Sequence, residues 1–265
     1  MVQLRSALFF AWMVVTVIPI AITALLMSIF VRGERLYWVC IFFLRLAVAG
    51  ARVICGVDWR VQGMQHLPAH DPTAPLVLCA KHQSTWETFA MPTLMSHPLA
   101  YVFKRELLMI PFFGWAMARL DMIHIDRSRR ADAWARVAAQ GRELLARGIW
   151  VIMFPEGTRI PRGQRGNYKS GAARLAIETG APLVPIAVTS ARCWPRKSFV
   201  LRPGVIDVSI GRPIDSAGRR ADELMREAEQ WIEAEMQRLD PEAYPRDAAA
   251  PAARAAAAEP SRGSE

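Results

Sequence analysis

The chain has 265 residues, is 52% hydrophobic and carries a formal charge of +9 built almost wholly from arginine, with Lys only at 81, 104, 169 and 197. That length admits one large α/β domain with appendages. Because the basic residues are interleaved with apolar runs, the charge points to phosphate-bearing substrates or an anionic membrane surface and away from nucleic acid. Cys40, Cys55, Cys79 and Cys193 are scattered without a CxxC pair, so neither a disulfide framework nor a metal site is expected.

Residues 6–31 contain no charge and are bracketed by Arg5 and Arg32. A helix needs roughly 20 apolar residues to cross a hydrocarbon core, so this run reads as a membrane anchor, kinked or re-entrant at Pro19 as an alternative. A cleavable signal peptide would have a shorter apolar region, about 7–15 residues, ending in a small-x-small site. Residues 36–57 are apolar too but carry Arg45 and Arg52. Seven residues apart, these two fall within about 20° of each other on a helix, which favours a segment lying in the interface over a second span. Arg32, Arg35, Arg45 and Arg52 follow the first run and only Arg5 precedes it. The expectation is therefore a membrane protein whose main domain faces the cytoplasm.

From Val57 the pattern changes to short strands alternating with amphipathic helices. Strands are expected over 59–61 (at an edge), 76–80, 100–103, 122–125, 149–154, 183–189 and 205–210. Helices are expected over 86–91 before Pro92, over 131–147 closed by Gly148, over 170–179 closed by Gly180, and over 217–239. This alternation argues for an α/β fold with helices on the faces of one sheet. The expected division is 1–57 as anchoring helices, 58–240 as the α/β domain, and 241–265 as an Ala- and Pro-rich disordered tail.

Four strand ends carry chemistry. After 76–80 comes Lys81-His82-Gln83-Ser84-Thr85-Trp86-Glu87. There Glu87, in the first helical turn, can hold the His82 imidazole as a general base. The competing reading makes Ser84-x-x-Glu87 a capping box and His82 a structural residue. After 149–154 comes Pro155-Glu156-Gly157-Thr158-Arg159. Gly157 permits a tight turn, and Arg159 suits bidentate capture of phosphate, although a solvated turn arginine has the same signature. Asp126-Arg127 and Lys104-Arg105-Glu106-Leu107 end two further strands, with Arg127 and Lys104 as additional cations.

In order and spacing, these motifs together with Val184-Pro185-Ile186 resemble the glycerolipid acyltransferases, and most nearly the 1-acyl-glycerol-3-phosphate (lysophosphatidate) acyltransferase branch. The resemblance runs from about Val57 to Pro213. Two motifs depart from it: in the first Glu87 stands where the family has Asp, and in the second Asp121 and His124 replace a Gly and a Phe. The resemblance implies that family's mixed sheet with a membrane-docking helical pair. It implies acyl transfer from acyl-CoA or acyl carrier protein to the free hydroxyl of a lysophospholipid, in phospholipid synthesis, with the thioester as co-substrate and no resident cofactor. His82 and Glu87 would be catalytic. Lys104, Arg127, Glu156, Gly157, Thr158 and Arg159 would form the substrate site, with Glu156 bracing the turn or contacting glycerol. Amides near Gly157 or Gln83 would face the oxyanion, and anionic lipids would hold the enzyme at the membrane. A serine hydrolase is the alternative from another class, but no G-x-S-x-G occurs and Ser84 is the only serine close to His82 in sequence. A non-catalytic lipid-binding scaffold would explain the charge but not His82 beside Glu87.

Overall fold

A computed structural model describes residues 1–125 and 130–245, so Asp126, Arg127 and the tail 246–265 lie outside the described residues. Two long helices open the chain, α1 (Val2–Met27) and α2 (Glu34–Cys55). Seven strands follow: β1 (Val57–Gln62), β2 (Val77–Ala80), β3 (Leu99–Lys104), β4 (Ile123–Ile125), β5 (Trp150–Met153), β6 (Leu183–Val188) and β7 (Gly204–Ile210). The remaining α-helices are α3 (Trp86–Leu94), α4 (Phe113–Met117), α5 (Arg130–Ala146), α6 (Gly171–Thr179) and α7 (Ala221–Leu239).

The strands form one sheet in the order β1-β7-β6-β2-β5-β3-β4. All neighbours are parallel except β6 and β7, so the sheet is mixed, and β1 takes the edge position expected for it. Side chains of a strand alternate between faces, and β2 displays the consequence. Leu76, Leu78 and Ala80 enter a core with Phe9, Val48, Trp86 and Trp150, whereas Val77 and Cys79 enter a second core with Val137, Leu175, Leu224 and Ile232. One face is thus covered by α2, α3 and the start of α1, and the other by α5, α6 and α7. With both faces covered, β2 and β6 are buried throughout, which is why they read as unbroken apolar runs.

Helix α3 does not stop before Pro92 but runs through it to Leu94. Proline removes the amide that would bond the carbonyl four residues back. That carbonyl, on Thr88, accepts the Tyr101 hydroxyl at 3.3 Å instead, so the missing donor is replaced from β3. Gly148 closes α5 as expected: its φ is +73°, and a Cβ there would lie 2.0 Å from the Pro72 carbonyl oxygen. The folded chain also continues past the boundary expected at 241, since Tyr244 is buried and its hydroxyl meets the Gln83 amide.

The helical pair shares its core with the sheet. Ser6 Oγ accepts the Leu201 N–H at 3.0 Å, and Phe9 is fully buried against Trp194. Near the start of α2 the Tyr37 hydroxyl accepts the Leu99 N–H at 3.0 Å, midway along it Phe43 meets Phe89, and its end passes straight into β1. Helix α2 therefore lies along the flank of the domain. Both helices are long and apolar enough to cross a membrane. The surface they leave uncovered is apolar, with Leu8, Val14, Val15, Ile22 and Leu26 of α1 and Phe42 and Val53 of α2 all exposed. Arg45 and Arg52 are exposed as well, over Trp38 and Trp59 respectively, and Arg52 pairs with Asp58 at 3.2 Å. An apolar exterior of this extent marks a membrane-contacting surface.

Candidate active site

Parallel pairing of β2 with β5 on one side and β6 on the other sets Cys79 opposite both Met153 and Pro185. The segments leaving these three strands emerge together at their carboxyl ends, where open α/β sheets bind ligands. His82 follows β2. Its ring stacks on Phe154, just beyond β5, with centroids 3.9 Å apart and 14° between planes. Its N–H donates to Glu156 Oε2 at 2.8 Å, and its carbonyl accepts the Ile160 N–H at 2.8 Å. Both neighbours lock the base in place by backbone bonds.

Glu87 serves the helix start and also stands beside the His82 ring. It is fully buried, and its carboxylate accepts the Gln83 N–H at 2.8 Å and the Ser84 N–H at 3.0 and 3.1 Å, as a helix-start acceptor should. It also accepts the Ser190 hydroxyl, delivered from the end of β6. The remaining direction faces His82, with Oε2 3.8 Å from Nδ1. The hydrogen bond expected between them is therefore open by nearly an ångström, because the carboxylate is drawn toward the amides at the helix start. His82 Nδ1 is buried and has no other hydrogen-bond partner.

Burial pushes the His82 imidazolium down to about 3, and the nearby Arg159 guanidinium acts in the same direction. The ring is thus neutral at physiological pH, as a base must be. Burial lifts Glu87 to about 7, opposed by the Ser190 hydroxyl and the backbone N–H donors. Charge on Glu87 is held by these donors alone, so the site sits close to the balance between its two protonation states.

Glu156 is turned away from the ligand side. Its carboxylate pairs with Lys81 Nζ at 2.8 Å, and Lys81 pairs in turn with Glu233 of α7 at 2.7 Å, both contacts lying in the interior. Tyr168 donates its hydroxyl to Glu233 at 2.7 Å and sets its ring 5.5 Å from the Lys81 ammonium. Burial alone lowers Lys81, but the two carboxylates outweigh it and leave its pKa above the ordinary value. Burial raises Glu156, against the pull of Lys81. Of the two roles expected for Glu156, the geometry fits the brace.

A cavity of about 520 Å³ opens at His82 and continues between α1, α2, α3 and α4. His82, Gly157, Thr158 and Arg159 line its polar end, and Ala21, Ile41, Phe89 and Phe103 are among its apolar walls. Gly157 has a φ of +66°, the left-handed conformation that the tight turn requires. Two amides expected to face an oxyanion are engaged elsewhere: Gly157 N–H donates to the Phe154 carbonyl at 3.0 Å, and Gln83 N–H to Glu87. Lys104 ends β3 on the same rim, and Arg127 lies outside the described residues. Ser84, the hydrolase candidate, is fully buried, and its Oγ accepts the Trp86 N–H at 3.0 Å. It is part of the helix start and does not face the cavity.

Three contributors escaped the sequence reading. Ser190 follows β6 in an unremarkable Val-Thr-Ser run. Arg196 and Lys197 line the cavity from the loop between β6 and β7. Their signal in the sequence was a basic pair following a proline, downstream of a strand end.

A half-buried histidine beside a buried carboxylate, at the polar mouth of an apolar cavity with an arginine alongside, suits acyl chemistry on a charged lipid. The Acyltransferase family model matches residues 58–189. The 1-acyl-sn-glycerol-3-phosphate acyltransferase of Pseudomonas aeruginosa is 42% identical over 200 residues, covering 74% of this chain and 76% of that protein. The human 1-acyl-sn-glycerol-3-phosphate acyltransferase alpha is 30% identical over 68% of this chain, which spans 62% of its length. In fold, the crystal structure of the 1-acyl-sn-glycerophosphate (LPA) acyltransferase PlsC from Thermotoga maritima matches with a TM-score of 0.75 at 22% identity, covering 90% of this chain and 95% of that one. This chain belongs to the 1-acyl-sn-glycerol-3-phosphate acyltransferase family.

Proposed function

We propose that the chain transfers a fatty acyl group from a thioester to the free hydroxyl of lysophosphatidate, giving phosphatidate and a free thiol. The observation that carries this reading is the His82–Glu87 pair at the polar end of a cavity whose other walls are apolar. With Nδ1 turned to Glu87, Nε2 is the nitrogen that meets substrate. It takes the hydroxyl proton as the oxygen attacks the thioester carbonyl. Glu87 stabilises the positive charge then carried at Nδ1–H. Collapse of the tetrahedral intermediate breaks the C–S bond, and the proton on Nε2 goes to the departing thiolate. The acceptor oxygen is itself the nucleophile, so no acyl-enzyme forms. Arg159 binds the acceptor phosphate beside the base, supported by Lys104 and Arg127, the other cations of the motifs that resemble the family's.

The donor is acyl-CoA or acylated carrier protein. The steps draw on side chains, with the thioester as co-substrate. The helical pair rests its apolar face in the inner membrane, aided by anionic lipids near Arg45 and Arg52, with the catalytic domain on the cytoplasmic side.

Thiol release by the detergent-solubilised enzyme tests the reading, with lipid products weighed by mass spectrometry. Wild type should release thiol only when lysophosphatidate is present and should yield phosphatidate, and His82→Ala should do neither. Release without any acceptor would indicate hydrolysis and overturn the proposal.

A further inference from the structure

Strand β2 lies between β5 and β6, so His82 has neighbours on two sides. Arg159 follows β5. Arg196 and Lys197 follow β6 and reach the same cavity from the opposite side. Among the described residues neither of these two cations is paired with a carboxylate.

The backbone beneath them is unusual. Ser198 N–H donates to the Pro195 carbonyl at 3.2 Å, closing a turn whose third residue, Lys197, has a φ of +56°. Glycine or asparagine is the ordinary occupant of such a position, because a larger side chain crowds the left-handed backbone. The turn is held from outside: Arg202 N–H donates to the Cys193 carbonyl at 2.8 Å, and Phe199 stacks on Phe10 of α1 at 4.9 Å. An unfavourable residue kept in a pinned turn at a substrate cavity points to a functional reason for that residue.

Resting on direct transfer as proposed above, we infer that Arg196 and Lys197 form a second phosphate-binding end of the cavity, which takes the donor thioester. Transfer without an acyl-enzyme requires both substrates at once, and both bear phosphate. The acceptor phosphate is only a few bonds from the reacting hydroxyl and belongs beside the base, at half-buried Arg159. In acyl-CoA and in acylated carrier protein alike, the whole pantetheine arm separates the thioester from the nearest phosphate. A cation at the exposed rim, as Lys197 is, matches that longer reach.

Lys197→Gly separates binding from structure, since it relieves the backbone while removing the charge. Its thermal midpoint should equal or exceed that of wild type. Its KM for acyl-CoA should rise roughly tenfold, as loss of a charge-assisted contact implies. Its KM for lysophosphatidate should stay within about twofold, and Arg196→Ala should behave alike. Calorimetry with coenzyme A should show the same weakening without any turnover. Repeating the assay with acylated carrier protein identifies the phosphate: an equal rise with both donors marks the one on the pantetheine arm, and a rise with acyl-CoA alone marks those of its nucleotide. An unchanged donor KM and coenzyme A affinity, or a rise in acceptor KM alone, would overturn the assignment. Failure of the transfer reading would look different, because wild type itself would then lack acceptor-dependent thiol release.

Discussion

Glu87 Oε2 stands 3.8 Å from His82 Nδ1, while Gln83, Ser84 and Ser190 donate to the same carboxylate. Three residues from two segments therefore fix the acid before substrate arrives, and the contact to the ring is left to tighten when the ring gains its proton. His82→Ala should lower kcat by about 10²–10⁴-fold, the range ascribed to a positioned base. Glu87→Gln should lose a comparable share of kcat with little change in either KM. Glu87→Asp should retain more activity than Glu87→Gln, because it keeps the charge. Steady-state thiol release on the three variants checks the order.

The pH dependence follows from the same pair. His82 stays neutral down to about 3, so its own titration does not set the acid limb of activity. Glu87, lifted to about 7 by burial, does. As pH falls through that value the carboxylate takes a proton and no longer stabilises the imidazolium, so kcat/KM should fall with one apparent ionisation belonging to the pair. The Ser190 hydroxyl stabilises the charged form, so Ser190→Ala should move this limb to higher pH. A profile of the variant that overlays wild type would remove Ser190 from the site.

Arg159 should matter for the acceptor and hardly for the donor. A hydrogen bond to a charged group contributes about 1.5–3 kcal/mol, so Arg159→Ala should raise the lysophosphatidate KM by roughly 10–100-fold. Arg159→Lys should recover only part of this, since a point charge cannot reproduce a planar fork. Initial rates over a matrix of both substrates separate the two dependences.

Lys81 joins the site to α7 and should act mainly on stability. Lys81→Met leaves Glu156 and Glu233 buried without their cation. Removing one member of a buried ion pair costs about 3–5 kcal/mol, which for a chain of this size lowers the thermal midpoint by roughly 10 °C. Glu156→Gln, which retains a hydrogen-bonding side chain, should cost less. Thermal unfolding in detergent distinguishes them.

The exposed face of α1 should govern membrane attachment. Val15 is 68% exposed and Leu26 60%, and neither belongs to the shared core. Val15→Lys with Leu26→Lys should shift the protein out of the membrane fraction, each lysine adding up to about 2.5–3.5 kcal/mol at the centre of the hydrocarbon. The detergent-solubilised variant should keep its wild-type melting temperature. Sedimentation with membranes reads the first effect and calorimetry the second.

Much of this was legible in the sequence because it is local. The β2 run, the turn through His82 and the acid at the start of α3 lie within a dozen residues, and apolar patterning with capping chemistry specifies each. The Gly148 and Gly180 closures were equally visible. What stayed hidden depends on distant partners. Glu156 became a brace only once Lys81 and Glu233, 152 residues apart, met behind it. Helix α3 passed through Pro92 because Tyr101, in the following strand, supplied the donor that proline lacks. Arg196 and Lys197 lay in a loop whose path is set by its grip on α1, and no periodicity reports such a contact.

The cavity has the helical pair as one of its walls, and that changes what concentration means for this enzyme. On the proposed reading, the lysolipid and acyl chains come from the bilayer into a cavity that α1 and α2 help to wall, and the two-chained product returns to the bilayer. The quantity that saturates the site is then the mole fraction of substrate in the surface, not its molarity in the tube. Diluting lysophosphatidate with an inert amphiphile at constant bulk amount should slow the reaction, and a cell could regulate its rate through the composition of the membrane alone.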